Sequence, residues 1–441
     1  MKRVLIVTYY FPPSGGPGVQ RMLKFVRYLP RYGWAPTVLT VDPEHASYPA
    51  LDPTLAHEVP PAVPVVRTKA WDPYALYARL LGKAKHEAVS VGFTGEGTAG
   101  GRHRLGRWLR ANLFLPDARV GWVPFARRAA RRLHREAPFD VVVTTGPPHS
   151  THFVGSRMQR AFGIPWVADF RDPWTDISWY GELPFTPWAR RLDAHLETTV
   201  LRAADHVVTV GEALRRLLAS KTDRPLTVIP NGFDPEDFEA VREPIVEHTG
   251  FRIVHVGTLS ASQNPEGLWQ ALAALERSGA CPALRLHFVG KVDPVVLGRV
   301  EAAGLRERLD LTPYVPHREA IGYMQAADLL LLSINRAPGA EGIVTGKLFE
   351  YLASGRPVLG LGPPEGDAAA LLRATGGGVM FAHDDPDAIR AYVAAQYADW
   401  EAGRRREGAR PEALLPYTRP ALTERLAAVL VHVTARTVRP T

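Results

Sequence analysis

The sequence contains one cysteine, Cys281, and no apolar run close to the roughly 20 residues that a helix needs to cross a bilayer. A lone cysteine excludes an internal disulfide and a cluster of thiolate metal ligands, and it fits a reducing compartment. The first residues, MKRVLIV, resemble the start of a signal peptide, but a turn rich in proline and glycine follows without a small-residue cleavage site. We therefore expect a first buried strand here and a cytoplasmic location.

Acidic residues are outnumbered, since 53 lysines and arginines against 45 aspartates and glutamates give a formal net charge of +8. Such a charge favours an anionic partner or surface. Arginine is concentrated in two stretches, 102–116 and 127–135, and the first also carries Trp108 and Phe114. A basic helix with an aromatic edge can lie on an anionic membrane, here at its inner face, but the same pattern fits a solvated amphipathic helix. No helix-turn-helix, zinc-finger or RNA-binding signature is present, so no nucleic-acid partner is expected.

The length of 441 residues and the hydrophobic content of 46% describe a globular chain with room for two domains. Apolar strands alternate with helices in both halves, which is the pattern of parallel α/β sheets. We predict two Rossmann-like domains with a central cleft, residues 1–240 and 241–415, and a C-terminal helix in 416–441 that packs back across the junction. The predicted strands are Val4–Thr8, Thr37–Thr40, Val63–Arg67, Val141–Thr144, Trp166–Asp169, His206–Val210 and Leu226–Ile229, then Arg252–Val256, Arg285–Val289, Leu309–Leu311, Leu329–Leu332, Pro357–Leu361 and Val379–Phe381.

A glycine-rich turn, FPPSGGPGVQR, follows the first strand and precedes a helix. Gly15 and Gly16 allow the backbone to approach a ligand closely. The Gly-x-Gly-x-x-Gly spacing of dinucleotide-binding loops is absent, and Pro17 interrupts the turn. A dehydrogenase is therefore disfavoured.

Polar side chains also follow two later strands of the first half. His149 and His152, in TGPPHSTHFVG, could ligate a metal, although no third ligand accompanies them, or donate hydrogen bonds to a sugar. Asp169, Arg171 and Asp172 follow the next strand, in VADFRDPW. Charged groups at a strand exit are costly unless they pair or serve a function. A structural Asp–Arg bridge and a functional site are therefore both open.

The segment EGIVTGKLFEYLASGRPVLG, residues 341–360, combines a glycine-rich loop, a helix and a buried strand. Thr345 is a candidate N-cap, and Gly346 and Lys347 then open the helix with free backbone N–H groups. Those donors, the positive end of the helix dipole and the lysine ammonium would all favour a phosphate. Glu350 shares a helix face with Lys347, so the pair also fits an ordinary surface ion pair, which supports a helix by about 0.2–0.5 kcal/mol.

Five features, in this order, resemble the retaining glycosyltransferases of the large family-4-type group, which have the two-domain GT-B architecture. They are the strand with Gly15 and Gly16, VADFRDPW at 167–174, IPNGFD at 229–234, HVGTLS at 255–260 and the segment 341–360. The resemblance implies a nucleotide-sugar donor held mainly by the second domain, and a glycan, lipid-linked or small-molecule acceptor held mainly by the first. It implies retention, with the nucleotide sugar as co-substrate and neither cofactor nor metal. A sugar-nucleotide epimerase of the same fold and a nucleotide-sugar-binding protein without transferase activity are the alternatives.

The resemblance also implies roles for single residues. Glu350 would accept hydrogen bonds from the ribose hydroxyls, and the backbone at Val315 would contact the base. Gly15 and Gly16 would line the cleft near the acceptor and the phosphates. The remaining donor contacts would come from Gly257, Thr258, Glu341, Thr345, Gly346 and Lys347. The catalytic groups would be His149, Arg171, Asp172 and Lys347.

The sequence departs from the family pattern at two places on the donor side. The family often pairs two glutamates eight positions apart, but Gly342 occupies the position that would pair with Glu350, and Glu341 lies one residue away. Thr258 and Gln263 are neutral where the family commonly carries an arginine and a lysine. Other cations must then neutralise the leaving diphosphate. The candidates are Lys347, Arg171, Lys291 and Arg336.

A third departure concerns the strand exit of the first domain, where Arg171-Asp172 stands in place of a common His-Asp pair. Either Arg171 or His149 would then contact the donor sugar.

Departure of a nucleoside diphosphate develops negative charge, so preorganised cations and helix N–H groups should lower the barrier most. Because no carboxylate nucleophile is evident, we expect a same-face displacement in which a leaving phosphate oxygen helps to deprotonate the acceptor hydroxyl.

Overall fold

The computed structural model describes residues 1–48, 51–71, 108–178, 180–239, 250–404 and 407–437. The chain forms two compact units, of which the first is Met1–Pro230 with Leu422–Thr441 and the second is Asn231–Ala421. The predicted boundary at 240/241 lies outside the described residues, as does the stretch 102–107, and the boundary at 415/416 lies within the second unit. No helix in the described ranges is both long enough and apolar enough to cross a membrane.

The first unit contains seven parallel strands in the order β3-β2-β1-β4-β5-β6-β7. Successive residues of the first strand alternate between two hydrophobic clusters, with Leu5 and Val7 in one and Val4 and Ile6 in the other. Apolar residues therefore occupy both faces, as expected for a parallel sheet covered on both sides. The strands are β1 (Lys2–Val7), β2 (Trp34–Val41), β3 (Val65–Thr68), β4 (Val141–Gly146), β5 (Trp166–Phe170), β6 (His206–Thr209) and β7 (Leu226–Val228). The main helices are α1 (Pro17–Tyr28), α2 (Val123–Glu136), α3 (His152–Phe162), α4 (Pro187–Ala203) and α5 (Glu212–Ala219).

The second unit contains six parallel strands in the order β10-β9-β8-β11-β12-β13. Its core is also divided between two hydrophobic clusters, so this sheet too is covered on both faces. The strands are β8 (Phe251–Val256), β9 (Leu284–Val289), β10 (Leu309–Thr312), β11 (Leu329–Ser333), β12 (Val358–Leu361) and β13 (Gly378–Phe381). The helices are α6 (Pro235–Glu239), α7 (Glu266–Ser278), α8 (Pro294–Ala302), α9 (His317–Ala326), α10 (Gly346–Ala353), α11 (Asp367–Thr375), α12 (Pro386–Glu401) and α13 (Pro411–Leu414).

The predicted C-terminal helix is present as α14 (Arg419–Thr437), and it packs on the first unit. Leu422, Leu426 and Leu430 recur at helical spacing and are buried in the same cluster as alternate residues of β1. The Lys2 Nζ donates to Thr434 Oγ1 at 2.9 Å, which ties the helix to the start of the chain. The last residues of the chain therefore complete the core of the domain in which the chain began.

Both sheets reverse their strand order beside the first strand of the unit, since β1 lies between β2 and β4 and β8 lies between β9 and β11. Open α/β sheets bind ligands outside the carboxyl ends of their strands at such a point. In the first unit the glycine turn follows β1, His149 follows β4 and Arg171 follows β5. In the second unit Gly257 follows β8 and α10 begins after β11. Each group of predicted site residues therefore lies at the carboxyl edge of its own sheet.

Candidate active site

In the first unit, Arg171 lies over the first turn of α1. A Cβ added at Gly18 would come within 2.0 Å of Arg171 Nη1, so only glycine leaves room for the guanidinium there. Arg171 donates from Nε to the Gly146 carbonyl at 3.2 Å and from Nη2 to the Pro147 carbonyl at 2.5 Å. Nη1 has no hydrogen-bond partner among the described residues. Gly16, at the N-cap of α1 with φ of 101°, has no side chain to cap the helix, Pro17 has no N–H, and the Val19 N–H donates to the Gly16 carbonyl at 3.1 Å, so the Gly18 N–H and a guanidinium N–H are brought together.

The strand-exit charges divide into a structural residue and a candidate functional pair. Asp169 is buried and bidentate with Arg21 of α1, at 2.7 Å and 3.2 Å, and it also accepts from Thr145 Oγ1 at 2.7 Å. Arg21 Nη1 also donates to the carbonyls of Ile229 and Pro230, both at 2.8 Å. The Asp–Arg bridge therefore exists, but its arginine is Arg21, which the sequence reasoning missed. An arginine among the buried positions of α1 was the signal for it.

Asp172 remains beside Arg171 at the exit of β5. Burial raises the pKa of the Asp172 carboxyl, and the Arg171 guanidinium opposes that shift. The carboxylate has no hydrogen-bond partner within the part of the chain that the structure describes. It is therefore free to accept a hydrogen bond from a ligand.

His149 and His152 lie on a buried aromatic stack rather than on an open loop. His149 packs on Trp174 with ring centroids 4.9 Å apart and planes 8° apart, and His152 packs on Phe170 at 4.5 Å and 14°. Burial lowers the pKa of His149 well below its ordinary value and that of His152 to about 3, so both rings are neutral. Both His149 Nδ1 and His152 Nε2 lie beside the α-carbon of Gly146. In the described ranges, no group of three or more His, Cys, Asp or Glu side chains could hold a metal ion.

In the second unit, Lys347 in the first turn of α10 lies against the backbone that follows β8. Lys347 Nζ donates to the Thr258 carbonyl at 2.9 Å, and a Cβ on Gly257 would come within 2.9 Å of that nitrogen. Gly257 also has φ of 105°, which glycine adopts without strain. The predicted contact residues Gly257 and Thr258 thus position the ammonium through backbone, while the Thr258 side chain is exposed.

His255 is a second neighbour of Lys347 that the sequence reasoning missed. Its Nδ1 lies 2.9 Å from the Leu331 carbonyl and its Nε2 lies 3.3 Å from the Thr258 carbonyl, so the shorter contact and the ammonium beside Nε2 favour the tautomer with the proton on Nδ1. Nε2 then faces Lys347 Nζ at 3.4 Å. Burial, with Lys347 adding to it, lowers the pKa of His255 to about 3. Burial also lowers the pKa of Lys347 to about 8, although Glu350 opposes this shift. With two protein acceptors, the ammonium has one N–H left for a ligand.

Glu350 lies on the next turn of α10 and contacts His317 at the start of α9. The distance from Glu350 Oε1 to His317 Nε2 is 2.9 Å, and the two side chains are 24% and 23% exposed. Glu350 is therefore accessible and already oriented, and it does not pair with Lys347 as an ordinary surface ion pair would. The His317 contact joins residues 33 positions apart, and no local pattern along the chain predicts it.

The other residues predicted to contact the donor lie in different surroundings. Thr345 occupies the N-cap of α10, but its hydroxyl makes no capping bond, and Oγ1 is buried without a partner among the described residues. The first N–H groups of the helix, beginning at Gly346, are left for a ligand. Val315 packs partly buried beside α9, whereas Glu341 is exposed in a short turn before α10.

Of the two neutral residues that stand where the family commonly carries cations, Thr258 and Gln263, the second has a structural role. Gln263 accepts from the Ser260 backbone N–H at 3.0 Å and donates to the Ser333 carbonyl at 3.1 Å, so it caps a turn. The candidate cations Lys291 and Arg336 are exposed. Of the second unit's candidate cations, Lys347 is therefore the one whose ammonium is fixed beside free helix N–H groups.

Comparisons with known proteins show which family the sequence resembles. A model of glycosyltransferase family 4 matches residues 74–237, and a model of the glycosyl transferases group 1 matches residues 250–399. An α-D-kanosaminyltransferase of Streptomyces kanamyceticus is 23% identical over 239 residues, which are 52% of this chain and 59% of that protein. The chain thus spans less than two thirds of that relative's length.

Solved structures resemble the whole chain. A sucrose-phosphate synthase from Thermosynechococcus elongatus has a TM-score of 0.65 at 16% identity, covering 99% of this chain and 100% of that one. Anabaena HepE, solved in complex with UDP, has a TM-score of 0.54 at 14% identity, covering 99% of this chain and 98% of that one. Two Rossmann-like parallel-sheet domains of this kind define the GT-B fold of nucleotide-sugar-dependent glycosyltransferases. The two family models together cover most of the sequence, and the chain belongs to the glycosyltransferase family 4 / group 1 enzymes, a retaining family.

Proposed function

We propose that the chain transfers a glycosyl group, with retention, from a nucleoside diphosphate sugar to a hydroxyl of a glycan, lipid-linked or small-molecule acceptor. The observation that carries the proposal is Lys347, whose ammonium is held by Thr258 and His255 beside the free N–H groups of α10. A diphosphate there would meet a cation and a helix N-terminus together. Which of the three acceptor classes applies is an outcome of the test below.

The donor contacts would divide by position along α10 and its neighbours. Glu350 would accept from the ribose hydroxyls in exchange for its contact with His317. Thr345 Oγ1 and the N–H groups of Gly346 and Lys347 would bind the phosphates. The backbone at Val315 would contact the base. Gly257 allows Lys347 to approach the strand end, while Glu341 would contact the donor sugar from the preceding turn.

The chemical step needs stabilisation of the leaving diphosphate. Lys347 and the α10 N–H groups would neutralise the charge that develops there without reorganising. This set of donors supplies the role of a divalent cation, so we propose that transfer needs no metal and no other cofactor. A leaving phosphate oxygen would help to deprotonate the acceptor hydroxyl on the same face.

The first unit would bind the acceptor and the transferring sugar. Arg171 and the Gly18 N–H, which follows Gly15 and Gly16, offer donors, and Asp172 offers an acceptor with no partner in the described ranges. His149 is stacked and buried, so Arg171 is the better candidate for direct contact, with His149 beneath it. The residue types suit a polyhydroxylated ligand, which needs donors and acceptors side by side.

A further part of the proposal concerns location, which we place in the cytoplasm with peripheral contact to the anionic inner face of the membrane. Support comes from α2, where Arg127 Nε is buried without a partner among the described residues. Burial lowers the pKa of Arg127, and Arg157 and Arg131 lower it further. A cavity of about 680 Å³ lies along this helix. It is lined by Pro124, Arg127, Arg128, Arg131, Arg132, Arg135 and Glu136.

Arg132 pairs with Glu136 at 3.7 Å, but arginines outnumber acids in this cluster. Such a cluster favours lipid phosphates, and the attraction should fall with salt. We expect the protein to sediment with phosphatidylglycerol vesicles at low salt and to be released as salt rises, whereas Arg128→Gln/Arg131→Gln binds less. No sedimentation at low salt would contradict the membrane contact and leave the transferase proposal standing.

The transferase proposal is tested with intact protein, a panel of nucleotide sugars that includes UDP-sugars, and acceptors of the three classes. We expect one donor to stabilise the fold in thermal shift and to be consumed only with its acceptor, in the presence of EDTA. Donor conversion without an acceptor would indicate an epimerase, and binding without conversion would indicate a binding protein. A retained anomeric configuration in the product would separate this enzyme from an inverting one.

A further inference from the structure

Asp193 on α4 is a buried carboxylate with no cation paired to it in the described ranges. It is 1% exposed. Each oxygen accepts one hydrogen bond from a neutral donor, Oδ1 from Trp174 Nε1 and Oδ2 from Tyr180 Oη, both at 2.8 Å. An ionised group buried without a counter-charge is costly, even when it is hydrogen-bonded. The arrangement therefore calls for an explanation beyond packing.

Trp174 connects this carboxylate to the active-site edge. The indole is 3% exposed and stacks on His149 with ring centroids 4.9 Å apart. Because Nε1 is held by Asp193, the indole cannot rotate in its plane without losing that hydrogen bond. His149 Nδ1 lies beside Gly146, whose carbonyl accepts from Arg171 Nε at 3.2 Å. A continuous series of contacts therefore runs from Asp193 to the Arg171 guanidinium.

Thr175, the residue after Trp174, is held by a second carboxylate of α4. Thr175 Oγ1 donates to Glu197 at 2.5 Å, and Glu197 also pairs with Lys221 at 2.8 Å. Glu197 lies one turn after Asp193 on α4, so the helix holds two successive residues through two carboxylates. Only the Glu197 carboxylate has a cation, which leaves Asp193 as the one that protonation would change most readily.

We propose that Asp193 is a positioning residue, whose ionised carboxylate orients Trp174 and, through it, His149 and the Arg171 exit of the active site. A protonated carboxyl carries an O–H on one oxygen. It has lost its charge and is a weaker acceptor than the carboxylate, so acid weakens the hydrogen bond that holds the indole. Only the catalytic consequence of this inference rests on the proposed function; the hydrogen-bond link does not.

The electrostatics support a functional rather than a purely structural role. The pKa of Asp193 is raised to about 6, mainly by burial, while the hydrogen bonds from Trp174 and Tyr180 oppose the rise and the charges of Glu197 and Asp117 add to it. Since the folded state raises this pKa, the ionised form costs folding stability at neutral pH. Functional sites commonly carry such a cost in stability.

The direct test follows the indole of Trp174 by NMR on the full chain with ¹⁵N-labelled tryptophan, assigned with Trp174→Phe. We expect its Nε1–H resonance to titrate with a midpoint near pH 6 and to stop doing so in Asp193→Asn.

In transfer assays, kcat should fall about tenfold as the carboxylate is protonated while the KM for the donor is unchanged, because a small displacement of catalytic groups is costly. Asp193→Asn should have low kcat and no acid limb at that pH.

Asp205→Asn is the matched control, because Asp205 is also a part-buried carboxylate of the first unit with two donors, Gln159 Nε2 at 2.8 Å and the Trp166 N–H at 2.9 Å. It should leave the Trp174 resonance and the acid limb unchanged. A resonance that does not titrate, or that titrates equally in Asp193→Asn, overturns the inference, as does an unchanged kcat in that variant. If the wild-type chain transfers no sugar, the proposed function fails, and the indole titration still decides the link.

Discussion

Lys347 gives the sharpest test of the donor site, because its charge can be removed by pH alone. Burial holds its pKa at about 8, well below the ordinary lysine value of 10.5. Only the ammonium can offer a charged N–H to a diphosphate, so binding should weaken as pH rises through this value. The terminal phosphate of UDP is already doubly ionised there, since its second pKa is about 6.

The magnitude follows from the ammonium fraction. With a pKa of about 8, roughly nine tenths of Lys347 is charged at pH 7 and roughly one tenth at pH 9. If only the charged form binds, the apparent Kd for UDP rises about tenfold between those two values. Calorimetry in buffers of different ionisation enthalpy should also detect proton uptake on binding near pH 8.5, because the bound phosphate raises the lysine pKa.

Two variants make this prediction refutable. Lys347→Arg keeps its charge over the whole range, so its affinity for UDP should not depend on pH between 7 and 9. Lys291→Met removes an exposed lysine and should keep the wild-type slope. A constant wild-type Kd, or a slope that survives in Lys347→Arg, would refute the assignment of Lys347 to the phosphates.

Three further predictions concern single residues. Glu350→Gln should weaken UDP binding by about 1.5–3 kcal/mol in calorimetry, the range for hydrogen bonds to charged groups, and unchanged affinity would contradict a ribose contact. Asp169→Asn should lower the free energy of unfolding by about 3–5 kcal/mol in guanidinium titrations, since it leaves a buried guanidinium unpaired, and a loss below about 1 kcal/mol would show that the bridge is not needed. Gly18→Ala should lower kcat with little loss of stability, because its Cβ would come within 2.0 Å of the Arg171 guanidinium and displace it. Gly298→Ala, inside α8, meets nothing within 4 Å, so it should leave kcat unchanged and raise stability by about 0.5–1 kcal/mol, and equal effects of the two alanines on kcat would sink the argument.

Much of the fold could be predicted locally. A parallel strand covered on both faces must be apolar throughout, so runs such as β4 and β11 are visible in the sequence. The glycines that precede α1 and α10 mark where a helix starts beside a ligand, since no side chain intervenes. These signals lie within a few residues of one another, which is why they gave the two α/β halves and the segment 341–360.

The pairing of charges could not be predicted, because it depends on which strands become neighbours. Asp169 has Arg171 two residues away, yet it bonds Arg21, 148 residues distant, since β1 and β4 bring α1 against the end of β5. Likewise Glu350 shares a helix face with Lys347 but contacts His317. Spacing along a helix says which groups are near, not which partner is buried with them.

The sequence by itself therefore determined two parallel-sheet domains, a phosphate-favouring helix start and the family resemblance. The tertiary structure decided which polar groups are fixed and which remain available. Lys347 is held by His255 and the Thr258 carbonyl because β8 and α10 meet at one sheet edge. Asp193 reaches Trp174 because α4 packs behind the exit of β5. Both arrangements join residues far apart in sequence, and burial at those contacts, rather than residue type, sets their pKa values and hence their chemistry.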